Sequence, residues 1–240
     1  MKVSLYVDGL NFYESSKRYR WYPYGWCNWR KTIENYCPGA EVQVKYFTSE
    51  RSGRDQEAME RQRLHLKAME DIAHAKIIKG ETRRRSVQCQ RCGGTMRCPQ
   101  CGSNERFTEK MTDVKIALHI FEDAIDEAFD RAYVVSGDLD LLPALEAALR
   151  RNDRAQIVVL FPPDGIIVEE FMDLERKHEK HVRCLRLDTR LMQRFPDDLP
   201  KRWHMELPEH WRVDAGPRPK IIPKNRARQI PASRASWSES

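Results

Sequence analysis

Residues 132–145 read AYVVSGDLDLLPAL, and the fold turns on how that stretch divides. A β-branched and aromatic run gives way to Ser136-Gly137-Asp138, and leucines resume at once. This is the pattern of a buried strand that ends in a loop and feeds a helix. Two carboxylates one residue apart, Asp138 and Asp140, stand at the junction.

The same alternation extends in both directions. Runs rich in Val, Ile and aromatics at 3–8, 41–49, 75–80, 131–137, 155–162 and 182–188 read as strands. Helical patterns lie between them, at 11–18, 54–73, 113–129, 140–151 and 166–177. In the third of these, Val114, Ala117, Leu118, Phe121, Ile125 and Ala128 recur at helical spacing and are expected to face the core. Apolar strands alternating with helices predict an α/β fold, a three-layer α/β/α sandwich around a mainly parallel sheet.

Two stretches break the rhythm. Residues 82–108 are rich in arginine and cysteine and show no periodicity, which marks an insertion. From residue 196 the chain turns proline-rich and basic, and a largely disordered tail over 196–240 is expected. The domain itself is expected to span 1–190, with 83–107 as the inserted segment. The aromatic stretch YRWYPYGWCNW at 19–29 is expected to pack against the domain, with base stacking as its alternative.

At 240 residues the chain can bury a substantial core. Its longest apolar stretches, at 157–161 and 165–168, fall far short of a membrane span. The opening MKVSLYVDG meets an aspartate too early for a signal peptide, so a cytoplasmic location and no membrane partner are expected. The net charge of +6 is uneven. Residues 83–107 carry six arginines against Glu105, and residues 216–240 carry six cations against Glu239, so each segment is +5 and the remainder is acidic. Two basic appendages on an acidic body point to a polyanionic partner, although basic tails also serve solubility.

In a parallel α/β sheet, ligands bind outside the carboxyl ends of the strands. The polar residues expected there are Asp8 and Asn11 after the first strand, Ser136, Asp138 and Asp140 after the fourth, and Asp113 at the start of a helix. Taken singly, each has an ordinary structural use as a helix cap, a first-turn acid or a turn residue. Together they gather carboxylates at one edge with no lysine or arginine beside them in sequence. Such a group calls for a divalent cation, and Mg²⁺ or Mn²⁺ takes oxygen ligands of this kind. A cation so held can activate water for phosphodiester hydrolysis.

Three segments, YVDGLNFY, EKMTDVKIALHI and VVSGDLDLLPAL, resemble in order and spacing the three motifs of the NYN group of PIN-like nucleases. The resemblance covers roughly residues 1–190 outside the cysteine insert. It implies metal-dependent RNA cleavage at an acidic site formed by Asp8, Asn11, Asp113, Asp138 and Asp140, with Ser136 beside them. The sequence departs from the pattern at Leu139 and at Met111-Thr112, where Gly-Val is common, and neither departure removes a carboxylate.

The insert holds Cys89, Cys92, Cys98 and Cys101 as two C-x-x-C pairs, each followed by glycine. In a reducing compartment this pattern predicts a structural Cys₄ zinc site, although the five-residue gap between pairs is short. Its arginines would help hold single-stranded RNA near the acids. The leading expectation is a ribonuclease using Mg²⁺ or Mn²⁺ for catalysis and Zn²⁺ for structure. A non-catalytic RNA-binding or scaffolding protein of the same fold is the alternative. A phosphohydrolase of small phosphate esters is disfavoured, because no glycine-rich phosphate loop follows the first strand.

Overall fold

The computed structural model describes residues 1–18, 25–50, 56–163, 165–208 and 211–212. In chain order these form β1 (Lys2–Asp8), α1 (Gly9–Arg18), α2 (Trp29–Tyr36), β2 (Glu41–Thr48), α3 (Gln56–Asp71), β3 (Lys76–Lys79), β4 (Glu81–Ser86), β5 (Glu105–Lys110), α4 (Thr112–Ile125), β6 (Arg131–Val135), α5 (Leu142–Arg151), β7 (Gln156–Phe161), α6 (Glu169–Lys177) and β8 (Val182–Arg186).

Six strands make one wholly parallel sheet in the order β3-β2-β1-β6-β7-β8. The central strands are buried on both faces, as β1 shows from Val3 to Asp8 and β6 along its whole length. On one face Leu5, Val7, Val44, Tyr133 and Val158 pack against Phe12 of α1, Trp29 and Ile33 of α2, and Leu64, Ala68 and Met69 of α3. On the other, Tyr6, Phe47, Val134, Ile157 and Val159 meet α4, α5 and α6. The three layers follow from the sequence, because strands apolar on both sides need cover on both. Each fully buried aliphatic side chain contributes about 1.5–3 kcal/mol to that arrangement.

The strand order reverses at β1, with β2 and β3 to one side and β6, β7 and β8 to the other. A crevice therefore opens between the carboxyl ends of β1 and β6, the usual ligand position in open α/β sheets.

Several expectations need correction. The inward face of α4 consists of Thr112, Ile116, Ile120 and Ala124. Val114, Leu118 and Ile125, expected in the core, are 61%, 51% and 52% exposed. The arginine-rich insert is not irregular throughout. β4 and β5 pair as an antiparallel hairpin, with Thr82 opposite Glu109 and Arg84 opposite Phe107, and the cysteine segment forms its tip. Helix α2, capped by Asn28, whose side chain accepts from Lys31 N–H, lies where no helix was expected.

The proline-rich tail is not loose over its described part. Phe195, Trp203, Leu207 and Trp211 are buried in the first core, and Trp26 stacks on Trp211 with ring centroids 5.4 Å apart. The packed body thus extends past residue 190 to Trp211, because spaced aromatic and aliphatic residues cover the α2 and α3 side of the sheet. The aromatic stretch divides likewise: Trp26 and Trp29 are buried, while 19–24 lie outside the described residues. The basic end over 216–240 also lies outside them.

Among the described residues, no helix is long and apolar enough to cross a membrane.

Candidate metal and nucleic-acid site

β1 carries Asp8 as its last residue, and β6 ends one residue before Ser136. Because β1 and β6 pair in parallel with Val7 beside Val135, both polar residues arrive at the same sheet edge. Ser136 ties the two strand ends together. Its buried hydroxyl donates to Asp8 Oδ2 at 3.0 Å, and its Oγ accepts from the Asp138 N–H at 3.1 Å. Asp8 Oδ1 accepts from the Asn11 backbone N–H at 3.0 Å, so Asn11 serves Asp8 through its main chain.

Asp138 caps the one-turn 3-10 helix Leu139–Leu141, its Oδ1 accepting from the Asp140 N–H at 2.9 Å. The cap also aims the acid, because Asp113 comes from the first turn of α4 to meet it. Asp113, Asp138 and Asp140 each offer a carboxylate oxygen, and these oxygens all lie within 4.8 Å of one another. Asp8 stands outside this trio but close enough to feel Asp113 and Glu109. All six predicted residues are thus at one edge, three of them as a cluster, with Asp8 and Ser136 behind.

The charges in this group are uncompensated. Among the described residues no lysine or arginine forms an ion pair with Asp8, Asp113, Asp138 or Asp140. Burial pushes the Asp8 carboxyl up to about 6, against the pull of the Asn11 and Ser136 hydrogen bonds. The Asp113 carboxyl is also raised, by partial desolvation first and then by Asp138 and Asp140. Acids raised by desolvation and by one another's charge are suited to a cation, and an all-oxygen set fits Mg²⁺ or Mn²⁺.

Glu109 was not singled out from the sequence. It is raised by desolvation, bonded to the Thr112 hydroxyl and in electrostatic contact with Asp113. The signal was present, since it lies in the same segment as Asp113 and four residues before it. It was obscured because the strand that carries it read as the end of an irregular insert. Met111, between them, has a left-handed backbone with φ of 75°. That conformation explains why glycine is common there in the motif it resembles.

The cysteine tip forms two nearly identical turns. Gly93 and Gly102 have φ of 71° and 69°, and each donates its N–H to the first cysteine carbonyl of its pair at 2.8 Å. Backbone N–H groups lower the thiol pKa of Cys89, from Cys92 and then Arg91, and of Cys98, from Cys101 and then Gln100. Among the described residues the acidic trio is the one gathered metal-ligating group, and Cys92, Cys98 and Cys101 are exposed. Arg85, Arg91 and Arg97 are exposed on the same hairpin.

The sequence signature of the NYN domain family matches residues 2–178. Among curated proteins, the chain is 25% identical over 193 residues to 6-hydroxy-3-succinoylpyridine 3-monooxygenase HspA of Pseudomonas putida. The match covers 69% of this chain and 61% of that protein's length. No solved structure matches the chain significantly.

Proposed function

The chain belongs to the NYN domain family, and we propose that it is a divalent-metal-dependent ribonuclease that hydrolyses phosphodiester bonds of single-stranded RNA in the cytoplasm. The observation that carries this reading is the trio Asp113, Asp138 and Asp140, gathered within 4.8 Å at the sheet edge and, among the described residues, without a lysine or arginine ion-pair partner. A bound Mg²⁺ or Mn²⁺ lowers the pKa of a bound water and neutralises charge developing on the phosphoryl oxygens. Asp113, Asp138 and Asp140 hold that ion. Asp8, anchored by Ser136 and Asn11, supplies a further negative charge behind them and helps orient the attacking water. The exposed arginines of the hairpin attract the RNA backbone.

Incubating the protein with end-labelled single-stranded RNA and Mn²⁺ or Mg²⁺ tests the reading. Shortened products that vanish with a chelator are expected. Salt-dependent binding of intact RNA under every metal condition would instead identify a non-catalytic RNA-binding protein. The Pseudomonas relative is described as a monooxygenase of a substituted pyridine. Oxidation of a small heteroaromatic ring is therefore the second reading, favoured by an aromatic cavity beside Asp8, and it predicts no RNA products.

Metal occupancy should depend on pH in a particular direction. Asp8 titrates at about 6 in the folded chain against an ordinary 3.8. Its contribution to stability is present below 3.8 and lost as the pH rises through about 6. At pH 5 its proton competes with a cation, whereas at pH 7.5 the carboxylate is ionised and repelled by its neighbours. Mn²⁺ should therefore raise the melting temperature more at pH 7.5 than at pH 5. His65 works the other way, because burial lowers it to about 4. Its contribution is lost as the pH falls, but it is common to both arms of a comparison with and without Mn²⁺. Equal shifts at the two pH values would count against Asp8 in the cation site.

We also propose that zinc draws the two cysteine turns together and stabilises the hairpin tip. The lowered Cys89 and Cys98 thiols and the two positive-φ glycines support this. Elemental analysis should find one zinc per chain in the protein as purified, and Cys89→Ser with Cys98→Ser should abolish it. Full zinc content in that double variant would rule the site out.

A further inference from the structure

A cavity of about 280 Å³ adjoins the acidic site on the α1 and α3 side of the sheet. Gly9, next to Asp8 in the chain, and Glu109, which feels the Asp113 charge, line the cavity. Its walls are unusually aromatic. His65 packs edge-on to Tyr46, with ring centroids 5.4 Å apart, and lies 6.1 Å from the Trp211 ring. At the mouth stands Phe107, 43% exposed, two residues from Glu109 on β5 and therefore on the same face of the hairpin. An exposed phenylalanine is costly to leave in water, and here it overhangs an aromatic-walled space.

Polar groups lie among the rings, the Glu50 and Glu109 carboxylates included. Gln62 donates its amide to Thr48 Oγ1 at 3.3 Å and to Ser49 O at 2.8 Å. Thr82, opposite Glu109 across the hairpin, donates its hydroxyl to Glu50 O at 2.7 Å and leaves its oxygen as an acceptor, and Arg61 is paired with Glu57 at 3.4 Å. Flat aromatic walls with hydrogen-bonding groups between them match a planar nitrogen heterocycle. An acidic cation site at the open end matches a phosphate attached to it.

We propose that this cavity receives one unpaired base of the substrate strand while the adjoining phosphate lies over the carboxylates. Phe107 stacks on the base, and the hairpin thereby couples the cysteine tip to the cleavage site. Only an unpaired base can enter, so the cavity is what selects single strands over duplex. This inference rests on the nuclease reading, and it supplies the substrate preference that the acids alone lack.

Binding of uridine 5′-monophosphate, ribose 5-phosphate and free uracil in the presence of Mg²⁺, read by tryptophan fluorescence and titration calorimetry, tests it. The nucleotide is expected to bind at least roughly 10-fold more tightly than ribose 5-phosphate, from stacking of one base. Phe107→Ala should remove most of that difference, and Phe107→Trp should restore it. Cleavage of single-stranded RNA is measured on the same preparations. Equal affinity for the nucleotide and ribose 5-phosphate, or no binding of either, overturns the base pocket even if RNA is still cut. Uracil binding as tightly as the nucleotide overturns the phosphate position and marks the cavity as a site for a free heterocycle. A Phe107-dependent preference for the nucleotide without RNA cleavage upholds the pocket and removes the nuclease reading instead.

Discussion

Asp113→Asn is expected to lower metal-dependent RNA cleavage by at least roughly 100-fold while leaving the metal-free protein as stable as before, or more so. The two effects have one cause. Partial desolvation first, and then the Asp138 and Asp140 charges, raise the Asp113 carboxyl, so its ionised form is disfavoured in the folded chain at neutral pH. Asparagine keeps the shape and removes the repulsion, but it also removes a ligand charge from a group of three. Residues selected for folding alone rarely show this opposition of activity and stability. Single-turnover cleavage and a thermal melt on the same variant read both. Full-rate cleavage, or a melting temperature that falls steeply, would show Asp113 to be a structural first-turn acid.

The second large effect lies away from the site. Lys45 and Asp123 form a buried ion pair, with side chains 6% and 13% exposed, and the Tyr6 hydroxyl also donates to Asp123. Burial and the Asp123 charge together push the Tyr6 hydroxyl upward, so it stays a donor. Asp123→Ala leaves the Lys45 ammonium and the Tyr6 hydroxyl buried without their shared acceptor. A loss of about 3–5 kcal/mol is expected in urea denaturation. Replacing all three groups, with Asp123→Leu, Lys45→Met and Tyr6→Phe, should recover most of it, since no desolvated charge or orphaned hydroxyl remains. A single variant within about 1 kcal/mol of wild type would mean that water reaches Lys45.

How much of this was legible in the sequence depended on whether local pattern and tertiary setting agree. The parallel sheet was readable because β1, β6 and β7 are apolar on both faces, which few other arrangements tolerate. The acids were readable because strand ends at a topological switch point are fixed by that sheet. Helix α4 departs from expectation because its apolar residues spread wider than the stripe it buries. Val114, Leu118 and Ile125 recur as regularly as Ile116, Ile120 and Ala124, so periodicity had no means to choose between them. Glu109 was missed because the hairpin that positions it is stitched by backbone pairing between arginine-rich strands, which leaves no hydrophobic signature. Trp203 and Trp211 were missed because proline-rich composition masks a few well-spaced rings that find cover only in three dimensions.

In the proposed reaction Asp113, Asp138 and Asp140 hold the cation that serves RNA cleavage, with Asp8 behind them. The most direct measurement of this is the rate of single-stranded RNA cleavage against Mn²⁺ concentration for the wild type and for Asp138→Asn. The account predicts a saturable, chelator-sensitive rate in the wild type and a loss of at least roughly 100-fold in the variant at every Mn²⁺ concentration. Cleavage by Asp138→Asn at the wild-type rate, or a wild-type rate indifferent to Mn²⁺ and chelator, would contradict it.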